Sequence, residues 1–234
     1  MPVIVFASSK GGSGKSTSAA ILATELAERG ATVTMIDADP NRPISKWAKH
    51  PGKPAKLTVI ADVSESTLIG TIEASARTSA FVIVDLEGSA SLMISFAMSR
   101  ADLVIVPTQG TQLDAVEAGK TVQLVKSQEE AFRIRIPAAV LLTRTSAAIR
   151  PKGLTAIETQ FRRAGFAVLS TQLHQREAYS SIFSFGCTVA GLAETGQFTS
   201  KQIDSARANA RAFMTEIVNL LKAAKAPLRA AEVA

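Results

Sequence analysis

The sequence predicts an α/β chain built on a doubly wound, mainly parallel sheet flanked by helices. Three observations lead there. Short apolar runs without polar alternation recur along the chain, the signature of strands covered on both faces. Helical patterns separate them, which implies right-handed crossovers. A Gly-rich segment lies between the first run and the first helical pattern, the context in which such a segment becomes a ligand-binding turn.

Taken in order, the strand candidates are Val3–Ala7, Val33–Ile36, Leu57–Ala61, Phe81–Val84, Leu103–Val106 and Ala138–Leu142, mostly β-branched residues or Leu. Helical candidates occupy residues 16–29, 64–78, 90–99, 112–128 and 151–164. His50-Pro51-Gly52-Lys53-Pro54 reads as a connection and is too short for a domain boundary. Beyond a last short strand near Val168 the pattern is helical, ending in a long helix from about Thr199 to Ala226 that Pro227 is expected to stop. The expected organisation is one domain over residues 1–226 with a disordered tail at 227–234.

Composition excludes several classes. The chain has 234 residues, 47% of them hydrophobic and 20% charged, an ordinary globular balance. No apolar stretch approaches the roughly 20 residues of a membrane span, and the N-terminus lacks a signal peptide's basic start and long apolar core. Cys187 is the only cysteine and His50 and His174 the only histidines, so an intrachain disulfide or a Cys-based metal cage is impossible. A cytoplasmic location is expected. The net charge of +6 is uneven: residues 1–117 carry 10 basic and 12 acidic side chains, residues 118–234 carry 16 and 8. A basic surplus confined to one half points to a local anionic partner.

The most informative segment is Ser9-Lys10-Gly11-Gly12-Ser13-Gly14-Lys15-Ser16-Thr17. Glycines at 11, 12 and 14 let backbone N–H groups curl around phosphate, and a following helix N-terminus adds partial positive charge. Lys15 is expected to reach the β- and γ-phosphates and Ser16 to ligate Mg²⁺. The common phosphate-loop pattern has Gly where this chain has Ser9, and Lys10 is an addition. Asp37 and Asp39 are expected to end the second strand with both carboxylates toward the ligand edge. Asp85 closes Phe81-Val82-Ile83-Val84 and is placed to hold Mg²⁺ through water. Any one of these acids reads equally as a turn residue; three at strand ends favour function.

Lys10–Thr17, Asp37–Pro40 and Phe81–Gly88 resemble the ParA/MinD family of deviant Walker ATPases, over nearly the whole chain. Leu142-Thr143-Arg144 and Gln175-Arg176-Glu177-Ala178-Tyr179 are similar to its short, ParF-like plasmid-partition members. Asp39-Pro40-Asn41-Arg42-Pro43 with Trp47 also resembles a ParA-like protein that assists T-DNA transfer in plant-transforming bacteria. Asn41 departs from the Gln usual in partition ATPases, and Glu87 from the small residues frequent after Asp85.

The resemblance implies an ATP-dependent homodimer that binds double-stranded DNA non-specifically, hydrolyses ATP to ADP slowly and answers to a small DNA-binding adaptor. In that setting Lys10 crosses to the partner subunit's phosphates and Asp39 orients the attacking water. The residues holding nucleotide are Gly11, Gly12, Ser13, Gly14, Lys15, Ser16 and Thr17, with Asp37, Asp85 and Ser16 at Mg²⁺. Arg144 is either a contact to adenine or a plain surface arginine. Pro107-Thr108-Gln109-Gly110-Thr111-Gln112-Leu113-Asp114 is either dimer-interface or an ordinary loop and helix cap.

In the long C-terminal helix, Ile203, Ala210, Phe213, Ile217, Leu220, Leu221 and Ala224 fall on one face. Arg207, Arg211, Lys222 and Lys225 form a band beside it about 60° wide. Arg162 and Arg163, with Arg150 and Lys152, lie at the two ends of the preceding helix. These cations are the expected contacts to phosphate backbone, with nucleoid association as the consequence. With one Tyr and one Trp in the chain, stacking on single strands is poorly supported. The competing functional reading is an accessory DNA-binding protein of conjugative or T-DNA transfer, in which nucleotide controls assembly. A MinD-like membrane anchor is disfavoured because the Ala-rich end after Pro227 lacks bulky apolar residues, so no stable membrane association is expected.

Overall fold

The computed structural model describes residues 1–87, 92–149 and 151–231, without the side chains of residues 152 and 225–231. Gly88, Arg150 and the side chains of Lys152 and Lys225 therefore lie outside the described residues. The strands are β1 (Val3–Phe6), β2 (Val33–Ala38), β3 (Leu57–Ile60), β4 (Phe81–Leu86), β5 (Leu103–Gln109), β6 (Ala138–Thr145), β7 (Ala167–Val168) and β8 (Leu173–His174). They form one sheet in the order β3-β2-β4-β1-β5-β6-β7, with β8 also paired to β6, and every pairing is parallel. Among the described residues the helices are α1 (Lys15–Glu28), α2 (Pro43–Ala48), α3 (Leu68–Thr78), α4 (Leu92–Met98), α5 (Gln112–Phe132), α6 (Lys152–Arg163), α7 (Glu177–Phe185) and α8 (Ser200–Ala231), with a short 3₁₀ turn at Gly191–Thr195.

Strand alternation assigns the two layers. Ile4 and Phe6 of β1 face one apolar cluster, which α1, α2, α7 and α8 complete. Val3 and Val5 face the other, closed by α3, α4, α5 and α6. Burial on both faces is why the strands read as continuous apolar runs. Strand order reverses around β1, and at such a switch point the strand ends leave an open crevice for ligands.

The structure departs from the sequence expectation in four places. Strands β2, β4, β5 and β6 run further than their apolar cores, because Asp37, Asp85, Thr108 and Thr143 continue the ladders as buried polar residues. Helix α2 occupies a segment to which the sequence assigned no element: Pro43 starts it, and Ile44 and Trp47, three apart, bury its inner face. The last edge strand is split. β7 and β8 both pair with β6, and between them Glu216 of α8 accepts hydrogen bonds from the amides of Ser170 and Thr171, both at 2.7 Å. Helix α8 passes Pro227 and continues to Ala231. A proline removes one donor and strains one turn, while Phe213, Ile217 and Leu221 anchor the preceding turns in the core.

Candidate nucleotide-binding site

The Gly-rich segment joins β1 to α1 at the centre of the sheet. Gly12 and Gly14 adopt φ of +75° and +95°, a region that side chains other than glycine's rarely tolerate. A Cβ on Gly11 or Gly12 would meet nothing within 4 Å, so this side of the loop is an open cradle. A Cβ on Gly14 would lie 3.3 Å from Thr143, where the loop presses on β6. Lys15 opens α1 and is 6% exposed, and Ser13 is buried with it.

The loop is held from outside by residues that the motif does not contain. The Thr143 hydroxyl donates to the Ser13 carbonyl at 2.8 Å, and the Gln109 amide to the Gly12 carbonyl at 3.0 Å. Ser9, where the common pattern has glycine, is clamped to α5. Its amide donates to Thr121 Oγ1 at 2.9 Å and its hydroxyl to the Glu117 carbonyl at 2.8 Å. A glycine could not make the second bond, which gives the departure a structural reason. Thr143 and Gln109 lie in segments that the sequence singled out, but nothing there marked either as a brace of the loop.

Strand register brings the two buried acids together. Asp37 and Asp85 are direct partners between β2 and β4, and Asp85 is level with Phe6, the last residue of β1. One Asp37 oxygen accepts from the Ser45 amide (2.7 Å) and hydroxyl, so it also caps α2. Its other oxygen, both oxygens of Asp85 and the Ser13 hydroxyl are buried without a hydrogen-bond partner. Burial pushes the Asp85 carboxyl up to about 7, reinforced by Asp37 and Asp39 and opposed by Ser16 and Lys15. Native proteins rarely leave such groups unsatisfied without a functional reason. Oxygen donors beside a phosphate cradle fit Mg²⁺ carried by a nucleotide. Among the described residues no group of three or more His, Cys, Asp or Glu is placed to hold a metal ion.

Asp39 corrects the strand-end reading. β2 stops at Ala38, and Asp39 forms a turn in which its side chain accepts from the Asn41 amide at 2.8 Å. It lies in the connection to α2, partly exposed, at the mouth of the site.

Beside Gly14 and Thr17, a pocket of about 360 Å³ is lined by Ile21, Arg144, Gln175 and Tyr179 among others. A ledge beside a phosphate loop with this lining suits a nucleobase. Arg144 has φ of +52° and lies exposed at its wall. Arg176, which also lines the pocket, has a buried, unpartnered Nε. It was not among the expected contacts.

The model of the VirC1 protein family matches residues 1–230. The chain belongs to this family. It is 41% identical to Protein ParA of Rhizobium radiobacter over 95% of this chain and 100% of that one. It is 26% identical to Protein virC1 of Rhizobium rhizogenes, over 95% and 96%. Among solved structures it resembles Cyanothece McdA in complex with ATP, with a TM-score of 0.68 at 16% identity over 89% of this chain and 96% of that one. Family places the chain with VirC1 proteins and a 41% identical ParA protein, and the likeness to McdA is one of fold.

The expected DNA contacts are less well gathered than the nucleotide residues. Arg162 and Arg163 belong to α6, in the layer opposite α8. Arg162 lies 3.5 Å from Glu158. Lys222 and Arg211 are exposed on α8, whereas Arg207 is partly covered and its Nε is buried. Both arginines act on Glu25 of α1. Its carboxyl is raised by burial and by Glu28, against the pull of Arg29, Arg211 and Arg207. Of the four expected cations of the α8 band, the described side chains are Arg207, Arg211 and Lys222, and the two arginines act electrostatically on α1 through Glu25. Among the described residues no helix is long and apolar enough to cross a membrane.

Proposed function

We propose that this chain binds ATP with Mg²⁺, pairs with a second copy on doing so, and hydrolyses ATP slowly while holding DNA without sequence preference, as a partition ATPase does. The observation that carries it is the set of buried, partnerless oxygens on Asp37 and Asp85 beside the glycine cradle. Bound Mg²⁺ supplies charge neutralisation across the β- and γ-phosphates.

The chain's own residues do the rest. Loop amides between Gly11 and Ser16 receive phosphate oxygens, and Lys15 at the start of α1 neutralises them. Ser16, Asp37 and Asp85 hold the ion, and Thr17 and Arg144 line the base side. Asp39, already turned back on its own loop, orients water at the mouth. Lys10 reaches the partner copy's phosphates, where a cation beside developing charge stabilises the transition state. Lys222 and Arg211 offer phosphate contacts on the outside of α8, and a small DNA-binding adaptor regulates turnover.

The test is ATPase activity with and without duplex DNA and candidate adaptor, measured alongside ATP-dependent dimer formation. Stimulated turnover with dimerisation supports the reading; absence of both overturns it. The resemblance of Asp39–Pro43 and Trp47 to a ParA-like protein of T-DNA transfer favours a second reading, in which nucleotide controls assembly of a DNA-transfer accessory complex. That reading expects ATP-dependent dimers whose DNA binding is unchanged when hydrolysis is abolished.

A further inference from the structure

Lys10 is already engaged within its own subunit. Its ammonium donates to Asp114 Oδ1 at 2.5 Å. The two partners are unequal: the lysine side chain is 44% exposed, the aspartate 7%. Asp114 is the third residue of α5, and Thr111 before the helix completes a reciprocal cap. The Asp114 amide donates to the Thr111 hydroxyl oxygen, and that hydroxyl donates to Asp114 Oδ2. Burial alone would raise the Asp114 carboxyl. Lys10 and Thr111 outweigh it, with help from Arg144, and hold it below the usual range.

This arrangement has the properties of an exchangeable hold. The aspartate is fixed, since Thr108 also donates to its carbonyl at 3.0 Å and the cap fixes its side chain. The lysine is a flexible stem with a half-exposed head, so it can leave. When it does, the carboxylate keeps the Thr111 hydroxyl and the positive end of α5, and is not stranded. Neighbouring residues mark the outward direction: Leu113 and Val116, on either side of Asp114, are 77% and 49% exposed. An apolar, uncovered surface around the lysine's anchor is where a second copy would sit if Lys10 is to reach it.

We propose that Asp114 is a positioning residue that retains Lys10 in its own subunit, so that pairing on ATP requires the lysine to exchange Asp114 for the partner copy's phosphate. The proposal rests on the reading of Lys10 as a residue acting across the dimer, and the experiment separates the two. The ATP concentration at half-dimerisation is measured by analytical ultracentrifugation for the full chain and for Asp114→Asn, Lys10→Ala and the double variant. Monomer affinity for a fluorescent ATP analogue is measured in parallel.

Asp114→Asn is expected to dimerise at about fivefold lower ATP, the equivalent of roughly 1 kcal/mol for a half-exposed ion pair. Its monomer affinity for nucleotide is expected to stay unchanged. In the Lys10→Ala background the same substitution is expected to have no effect. An unchanged or weaker dimer in Asp114→Asn overturns the proposal, as does an equal shift without Lys10, which would assign the effect to the helix cap. Should Asp114→Asn misfold, Asp114→Ser keeps a capping hydroxyl and carries the same expectations. Lys10→Ala dimerising like the parent chain would instead overturn the reading beneath the proposal.

Discussion

The nucleotide end of the sheet and the basic band on α8 are both built from charged residues, and they differ in what holds the charges. At the nucleotide end, register sets Asp37 against Asp85, and partners from α5, β5 and β6 brace the loop. Four polar atoms there stay buried and unpartnered. On α8, Arg207 and Arg211 act electrostatically on Glu25, while Lys222 is exposed at the surface. The first region is organised around something it does not contain. The second is partly covered, with Arg207 half-buried and its Nε buried without a partner, so it presents fewer exposed cations.

The largest effect that tests this contrast is at Lys15. Lys15→Ala removes a buried cation from the phosphate cradle, and a charge-assisted interaction of about 3 kcal/mol corresponds to roughly 100-fold weaker ATP binding. Calorimetric titration measures it. Retained affinity would mean that the cradle is a structural turn.

Next in size is Asp39→Ala. The side chain has one recorded bond, to the Asn41 amide, and lies in a connection. ATP binding and dimerisation are therefore expected to persist while phosphate release falls at least about tenfold, the cost of losing a positioned water. Turnover equal to the parent's would remove Asp39 from the mechanism.

The bracing of the loop gives a smaller effect. Thr143→Val conserves shape but strips the hydroxyl that donates to Ser13. An unmet buried carbonyl costs about 1–3 kcal/mol, so Tm should fall by several degrees, with about 2–4 °C for each kcal/mol in a chain of this size. ATP affinity should fall with it. A fall in Tm alone would separate the brace from the site.

These cases also show what was legible from the amino-acid order. The phosphate loop and the strand-end acids could be read because a parallel sheet forces strand ends to one edge, whatever the tertiary detail. Helix α2 could not, since only Ile44 and Trp47 carry its periodicity and its cap, Asp37, is remote in sequence. The clamp on Ser9 joins residues more than a hundred positions apart, and no local pattern reports that. The α8 band follows from helical periodicity, and periodicity says nothing of what packs beneath. Arg162 and Arg163, expected at one end of the preceding helix as further phosphate contacts, belong to the layer opposite α8.

The smallest effects lie on α8 itself, and they sharpen the contrast most. Arg211→Glu should reduce the salt dependence of duplex binding by about one unit of log–log slope if Arg211 contacts phosphate. An unaltered slope would assign Arg211 to packing alone. Its counterpart is Glu25→Gln. The Glu25 carboxyl is raised by burial despite three arginines, so the folded state binds the proton more tightly than the unfolded one. The charged form then costs stability above the folded pKa, and the cost disappears as pH falls below the unfolded value. Glu25→Gln should therefore raise Tm at neutral pH by no more than about 2–4 °C, a gain of up to roughly 1 kcal/mol, and the gain should vanish in acid. A lower Tm at neutral pH would show instead that attraction to Arg29, Arg207 and Arg211 dominates at this carboxylate. The arginines of the band would then be committed to the fold, leaving Lys222, among its described side chains, as the cation available to DNA.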